Sequence, residues 1–314
     1  MIRKRLHRAN QPHFALLVNK QAGSYSASGI KKLLAAIKAK KCAYTLYEPE
    51  SAADLLAQAE VASGLRPASQ HYPGPWERGG KVTGLIACGG DGTFNLVARA
   101  AMAAGLPMGC LPMGRTSSIA RSFCAKPSLD AAIEKILDGK YRTIDVGMAA
   151  DLPFFGSLGM GFIPRLCEQL EGRPAPRSGL GWSKLASKAA ADSPSKKLAV
   201  KVDSFRFEIR PLMFQVNLLP MVLGLPFTPA SVPDDGKAEV LFDHEPDAGK
   251  FSTFVRLINK GKYLYGNEIR LYRGSYILCQ YVKGRKLFLD GEVTEITKDI
   301  LEIQIEQNKL GVFC

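Results

Sequence analysis

The chain has 314 residues, of which 46% are hydrophobic and 23% are charged, which is typical of a well-packed globular protein of one large or two ordinary domains. The formal net charge of +13 favours anionic partners such as nucleotide phosphates, nucleic acid or acidic membrane surfaces. The seven cysteines form no CxxC pair, and the most apolar stretch, 212–227, is broken by polar residues and prolines. A structural zinc site, a secretory signal and a membrane span are therefore not expected.

The first part of the chain alternates compact apolar runs with segments of helical periodicity. Strands are predicted at 14–19, 43–47, 82–88 and 108–111. Helices are predicted at 30–37, 51–62, 93–104, 119–123 and 128–137. This alternation predicts parallel strands joined by βαβ crossovers, which is a Rossmann-like α/β domain. Residues 66–80, rich in proline and glycine, are interpreted as an exposed insertion.

From about residue 141 short apolar or alternating runs dominate, which indicates an antiparallel second domain. Strands are predicted at 143–148, 154–160, 198–202, 205–209, 212–218, 268–272, 275–279, 286–289, 300–305 and 310–313, with one helix at 249–258. The segment 173–197 is rich in Pro, Gly, Ser and Lys. It is interpreted either as a flexible linker or as a basic loop that contacts phosphate.

A glycine-rich turn, Gly89-Gly90-Asp91-Gly92, follows the predicted strand 82–88, and Thr93 opens the next helix. Adjacent glycines let the backbone approach a ligand closely, and the free N–H groups at a helix start favour phosphate. The alternative is an ordinary strand-to-helix turn in which Asp91 and Thr93 act only as caps. Asn19 and the loop 114–118 also follow predicted strands, so three loops are expected at one edge of the sheet, where ligands bind in such folds.

The GGDGT of residues 89–93 resembles the nucleotide-binding signature of the diacylglycerol kinase catalytic family, which includes sphingosine, ceramide and bacterial lipid kinases and is distantly related to NAD kinases. Further segments resemble family motifs in family order. They are 19–23, 111–114 with Ala120 and Arg121, 144–147, Gly159 with Gly161, 180–182, Asn217, 230–240 and 290–292. The resemblance therefore covers nearly the whole chain.

The resemblance implies a nucleotide-binding α/β domain at 1–142, joined by the last strands at about 303–314, and a β-sandwich-like lipid-substrate domain at 143–302. It implies that ATP and Mg²⁺ are cofactors and that the lipid hydroxyl enters from the second domain. It implies catalytic roles for Asp91, as general base or magnesium-linked carboxylate, and for Glu292. It implies nucleotide contacts from Asn19, Gly89, Gly90, Gly92, Thr93, Gly114, Arg115, Thr116 and Asp290, and metal ligation by Asp91 and Asp235.

Two positions depart from the family pattern. Residues 115–118 read Arg-Thr-Ser-Ser where the family has T-G-N-D, so an acidic side chain is missing from the nucleotide loop. Leu96 stands where the family usually has Glu. These losses weaken magnesium or ribose contacts, whereas Arg115 can clamp a phosphate through two hydrogen bonds.

The expected function is ATP-dependent phosphoryl transfer to a hydroxyl of diacylglycerol or a related lipid alcohol. The alternatives are an NAD kinase-like enzyme, although the NE-D motif is missing, and a catalytically inactive nucleotide or lipid sensor. Nucleic acid is not expected as a partner, because charge is the only feature that favours it. We expect a cytoplasmic protein that contacts the anionic inner face of the membrane, and the sequence leaves a homodimer open.

Overall fold

The computed structural model describes residues 4–6, 11–68, 80–123, 128–176, 179–243, 257–258 and 269–314. The chain divides into two compact units. The first comprises Met1–Ile144 with Asn308–Cys314, and the second comprises Asp145–Gln307.

The first unit alternates strands and helices along the chain. Its strands are β1 (Lys4–Arg5), β2 (His13–Val18), β3 (Ala43–Tyr47), β4 (Gly84–Gly89) and β5 (Met108–Pro112). Its helices are α1 (Ala27–Ala39), α2 (Ala52–Ser63), α3 (Asp91–Ala104), α4 (Ser118–Phe123) and α5 (Leu129–Asp138). The next strand, β6 (Lys140–Ala149), runs from the first unit into the second.

The strands β5, β4, β2 and β3 form a parallel sheet in that order, which confirms the predicted α/β architecture. Every residue of β2 and β4 is buried, as expected for strands covered by helices on both faces. Ser51, the first residue of the predicted helix 51–62, caps α2, because its side chain accepts a hydrogen bond from the Asp54 N–H. The crossovers leave the loops after β2, β4 and β5 at one edge of the sheet.

The second unit is mostly antiparallel. Its strands are β7 (Leu152–Phe154), β8 (Ser157–Gly161), β9 (Leu198–Val202), β10 (Phe205–Ile209), β11 (Met213–Asn217), β12 (Met221–Val222), β13 (Leu225–Pro226), β14 (Ala238–Asp243), β15 (Ile269–Gly274), β16 (Tyr276–Gln280), β17 (Lys286–Leu289), β18 (Glu292–Glu295) and β19 (Ile300–Phe313). Its helices are α6 (Phe162–Leu170) and α7 (Gly179–Ala191). The last residues of β19 return to the first unit, where Val312 pairs with Met108 in parallel.

Two sheets build the second unit and confirm the predicted sandwich-like class. One runs β10-β9-β16-β19 and the other runs β15-β14-β11-β8-β17-β18. A core of buried side chains from both sheets, including Val200, Ile277, Val216 and Val240, fills the space between them. On its other face the six-stranded sheet packs against α6 and α7 through a second core that contains Phe162 and Trp182.

Several sequence-based predictions for the second unit were wrong. The single strand predicted at 154–160 is two strands, because the chain turns at residues 155–156. The segment 173–197 is not a linker or a loop throughout, since α7 occupies much of it. Alanines 186, 189 and 190 of α7 are buried in the core that also contains Phe162 and Trp182. The small residues of this segment therefore pack a helix rather than form a loop.

The helix α6 and the strands β14 and β18 were not predicted at all. Pro164 lies in the first turn of α6, where a proline removes no intrahelical hydrogen bond. The two strands predicted at 300–305 and 310–313 are one continuous strand, β19. Most of the predicted insertion at 66–80 and of the predicted helix at 249–258 lies outside the described residues.

Candidate active site

Three loops at the carboxyl edge of the parallel sheet are joined by backbone hydrogen bonds. The N–H of Asn19, after β2, donates to the carbonyl of Cys88 at 3.0 Å. The N–H of Met113, after β5, donates to the carbonyl of Gly89 at 2.9 Å, and the N–H of Ser24 donates to the carbonyl of Met113 at 2.9 Å. The loops that the sequence predicted to meet are therefore brought together.

The glycine turn and the loop after β5 touch backbone to backbone. A Cβ atom built on Gly114 would lie 2.5 Å from the Cα of Gly90, and one built on Gly90 would lie 3.1 Å from the Cα of Gly114. No rotamer change can relieve a contact between two backbones. Only residues without a Cβ allow this approach, which leaves the edge of the turn uncovered by side chains at these two positions.

The carboxylate of Asp91 fastens the start of α4 to the glycine turn. Its Oδ1 accepts a hydrogen bond from the Ile119 N–H at 2.9 Å, and its Oδ2 accepts bonds from the Ser118 N–H at 2.9 Å and the Thr116 hydroxyl at 3.2 Å. Burial raises the pKa of the Asp91 carboxyl, and these hydrogen bonds oppose the rise because they favour the charged form. In this geometry Asp91 fixes the conformation of the loop at 114–118.

Asn19 and Thr93 join the first loop to the start of α3. The Nδ2 of Asn19 donates to the Thr93 hydroxyl at 3.0 Å, while its Oδ1 accepts from the Gln21 N–H at 2.9 Å. Thr93 is buried, and its side chain fills the space beside Gly89, where an added Cβ would lie 2.3 Å from the Thr93 Oγ1. Both residues therefore hold the turn in shape.

The side chain of Arg115 lies across the first loop and is exposed. A Cβ on Gly23 would lie 2.5 Å from the Arg115 Cγ, so the arginine stem rests on the glycine. Arg115 is thus at the rim of the three-loop edge, where a guanidinium can reach an anion. Gly92, in the first turn of α3, adds an N–H group to the same edge.

Among the described residues, no group of three or more His, Cys, Asp or Glu side chains is placed to hold a metal ion. Asp91 uses both carboxylate oxygens as hydrogen-bond acceptors for the loop. The described part of the first unit therefore lacks a cation cage made of protein ligands alone.

Asp290, predicted to contact the nucleotide, is 3% exposed within the second unit. Its carboxylate accepts hydrogen bonds from the N–H groups of Phe155 at 2.6 Å, Gly156 at 2.8 Å and Ser157 at 2.8 Å. These bonds hold the chain reversal between β7 and β8, which explains why residues 154–160 are not one strand.

Glu292 and Asp235 also lie in the second unit. Glu292 is exposed on the edge strand β18. Asp235 accepts a hydrogen bond from the Lys237 N–H at 3.1 Å and forms an ion pair with Arg273. The Nε of Arg273 also donates to Glu239 at 3.1 Å, and burial raises the pKa of the Glu239 carboxyl.

Asn217 and the segment 230–240, which contains Glu239, resemble family motifs, but the sequence did not predict that they meet beside this ion pair. Glu239 pairs across the strands with Asn217 and with Arg273, so the three form a row on one face of the sheet. Gln215 lies on the same face of β11 and accepts a hydrogen bond from the Asn217 Nδ2 at 3.4 Å. Since β14 itself was not predicted, no local signal could have brought Glu239 to Asn217.

The chain is similar to known proteins in sequence and in fold. The model of the diacylglycerol kinase catalytic domain matches residues 13–149. A diacylglycerol kinase of Staphylococcus saprophyticus is 22% identical over 217 residues, which cover 66% of this chain and 70% of the relative. An uncharacterized protein of Synechocystis is 29% identical over 87 residues, and the match covers only 20% of that relative's length. The crystal structure of a diacylglycerol kinase from Bacillus anthracis has the same fold, with a TM-score of 0.68, 15% identity and coverage of 96% of each chain.

Proposed function

We propose that this chain is an ATP-dependent lipid kinase, because residues 13–149 match the model of the diacylglycerol kinase catalytic domain. It transfers the γ-phosphoryl group of ATP to the hydroxyl of diacylglycerol or a related lipid alcohol. The observation that carries the proposal is the contact between Gly90 and Gly114, where two loops meet backbone to backbone at the carboxyl edge of the sheet. A phosphate can approach backbone N–H groups there without meeting a side chain at either glycine.

The nucleotide would bind along this edge. The N–H groups of Gly90, Gly92 and Thr93 lie at the start of α3 and would bind phosphate oxygens, with Gly89 and Asn19 shaping the turn. The loop with Gly114, Arg115 and Thr116 would close over the other side, where the guanidinium supplies a positive charge for a γ-phosphate. Phosphoryl transfer depends on such positioning and charge neutralisation.

Mg²⁺ would enter with the nucleotide rather than occupy a site prepared by the protein. The described residues provide no cluster of metal ligands, and Mg²⁺ is commonly held by one or two carboxylates together with substrate phosphates. Asp91 would contribute a remaining lone pair of its carboxylate, and Asp235 is the second candidate ligand. When bound, the ion would neutralise charge that develops on the phosphates.

For the acceptor, we propose that Asp91 or Glu292 accepts the proton of the lipid hydroxyl and that Asp290 keeps the β7–β8 turn in shape. The acceptor is a membrane component, and the net charge of +13 would attract an anionic surface. Among the residues that the structure describes, no helix is long and apolar enough to cross a bilayer. We propose that the protein acts at the cytoplasmic surface of the membrane, where its positive charge would meet anionic lipids.

The proposal is tested by ATP consumption with a panel of lipid alcohols, using Glu292→Gln. This residue is exposed on β18, so its replacement should leave the fold intact while lowering kcat at least tenfold, as loss of a general base does. Glu295→Gln, exposed on the same strand, is the matched control and should turn over at the wild-type rate. Equal rates for the two variants would show that Glu292 has no catalytic role.

Two further arms separate the alternatives. Formation of NADP from NAD and ATP would show that the chain is an NAD kinase-like enzyme rather than a lipid kinase. Saturable ATP binding without turnover on any alcohol, or on NAD, would make the chain a nucleotide sensor. Lipid phosphate formed by the wild type is the expected result.

A further inference from the structure

The strand β10 is an edge of its sheet, and among the described residues it pairs with β9 alone. An edge strand presents unpaired N–H and C=O groups, and proteins normally blunt such edges or use them for pairing. The five residues of β10, Phe205-Arg206-Phe207-Glu208-Ile209, contain no proline and no lysine. Its two charged residues, Arg206 and Glu208, carry opposite charges, so they do not oppose pairing with a strand of complementary sequence.

The hairpin between β9 and β10 determines which backbone groups face outward. Its loop is two residues long, and Val202 pairs with Phe205. In such hairpins the pair that flanks the loop exchanges both backbone hydrogen bonds, and the pattern then alternates. The N–H and C=O groups of Phe205, Phe207 and Ile209 therefore point to β9. Those of Arg206 and Glu208 point to the free edge.

The side chains of β10 leave apolar surface at this edge. Phe205, Phe207 and Ile209 lie on the face that turns toward the core between the two sheets, yet Phe205 is 58% exposed. Aromatic rings continue from it into the core, since the Phe205 and Tyr272 centroids are 5.8 Å apart and the Phe207 and Tyr272 centroids are 4.9 Å apart. The outer end of an aromatic stack is thus open to solvent.

We propose that a second copy of this chain covers this edge, through antiparallel pairing of β10 with β10 of the copy, centred on Phe207. The sequence of the strand is complementary to itself in this register. Arg206 faces Glu208 of the copy, Glu208 faces Arg206 of the copy, and Phe205 faces Ile209 of the copy. A two-fold axis through Phe207 makes the interface isologous, so the contact closes as a dimer.

Both the backbone and the side chains favour this register. The outward N–H and C=O groups of Arg206 and Glu208 meet the same groups of the copy, which satisfies them as hydrogen-bonded pairs. The two Phe207 rings then form a non-hydrogen-bonded pair, in which side chains are closest. The ion pair of Glu208 with Lys197, at 3.0 Å, does not compete strongly, because its side chains are 63% and 45% exposed.

The two edge strands of the six-stranded sheet, β15 and β18, lack this complementarity, since β18 carries Glu292 and Glu295 and no basic residue. β15 carries Arg270 and Arg273 and no acidic residue. Antiparallel pairing of β15 with itself would bring arginines of both copies to one edge without a carboxylate in the strand to face them. Opposite charges stabilise cross-strand pairs and like charges destabilise them, so β10 is the edge that fits a second copy.

The test is the molar mass of the full chain in solution, measured by light scattering over a concentration series. The wild type is expected to reach twice its monomer mass of 34.1 kDa. Arg206→Glu places carboxylates opposite each other, and Glu208→Arg places guanidinium groups opposite each other. Each should raise the dimer dissociation constant about tenfold or more, and the double variant should restore dimerisation because the pairs are re-formed in reverse.

Two more variants separate this interface from a general effect on the fold. Glu208→Pro removes an outward N–H and should abolish the dimer while leaving the melting temperature of the monomer unchanged, since proline is tolerated on a free strand edge. Glu295→Arg on β18 should leave the mass unchanged. A monomeric wild type, or a dimer that survives Glu208→Pro and both single charge reversals, would overturn the proposal.

Discussion

The contact between Gly90 and Gly114 makes Gly114→Ala the sharpest probe of the nucleotide site. The new methyl group would lie 2.5 Å from the Cα of Gly90, whereas ordinary carbon contacts are about 3.5 to 4.0 Å. The two backbones must therefore separate by roughly 1 Å, and overpacking of this kind costs about 1 to 3 kcal/mol. For a domain of this size that corresponds to a fall in Tm of about 2 to 4 °C per kcal/mol.

The assay is thermal unfolding with and without Mg-ATP. ATP that binds only the folded protein raises the Tm of the wild type, and we expect Gly114→Ala to lose this rise together with some intrinsic stability. Gly105→Ala is the control. Gly105 ends α3 with a φ of +65° and has no atom within 4 Å of an added Cβ, so this change strains the backbone far from the loops. It should lower the Tm but preserve the ATP-induced rise. A normal rise in Gly114→Ala would refute the reasoning.

Three further predictions concern the buried carboxylates. Asp290→Asn should lower the free energy of unfolding by about 2 to 4 kcal/mol in urea titrations, because an amide cannot accept all the N–H groups that the carboxylate binds. Wild-type stability would contradict this. Arg273→Met should cost about 1 to 3 kcal/mol, since it leaves the buried Glu239 without its half-exposed cation, whereas the exposed Arg173→Met should cost little. Burial raises the pKa of Asp243, so its contribution to the free energy of unfolding is complete in acid and is lost as the pH rises through the folded-state pKa. The stability difference between wild type and Asp243→Asn should therefore shrink from acidic to neutral pH, and a difference that grows would be contrary evidence.

The sequence predicted the first unit well because its signals are local. Apolar runs, a capping serine and the glycine turn each act within a few residues, so β3 was predicted with its observed bounds. The second unit depends more on contacts between distant residues. The break between β7 and β8 is held by Asp290, which lies 133 residues after Ser157. No pattern within residues 154–160 indicates this break.

In the candidate site too, features with local signals were predicted and contacts between distant residues were not. The sequence predicted that Asn19, the glycine turn and Gly114 would meet, because the carboxyl ends of parallel strands share an edge. It did not predict that Asp91 would bind the N–H groups of Ser118 and Ile119, which are 27 and 28 residues away. That contact requires the start of α3 and the start of α4 to lie side by side. Only the tertiary structure specifies this proximity.

The return of β19 to the first unit has a consequence for synthesis on the ribosome. Phe313 is 5% exposed, and its ring contacts those of Phe14 and Tyr141 at centroid distances of 6.1 and 6.3 Å. The core of the first unit therefore includes a side chain translated about 300 residues after its first strand. A nascent chain can form the βαβ crossovers early, but Phe14 stays partly uncovered until residue 313 has left the exit tunnel. We expect that the first unit acquires full protease resistance only after residue 313 has left the exit tunnel.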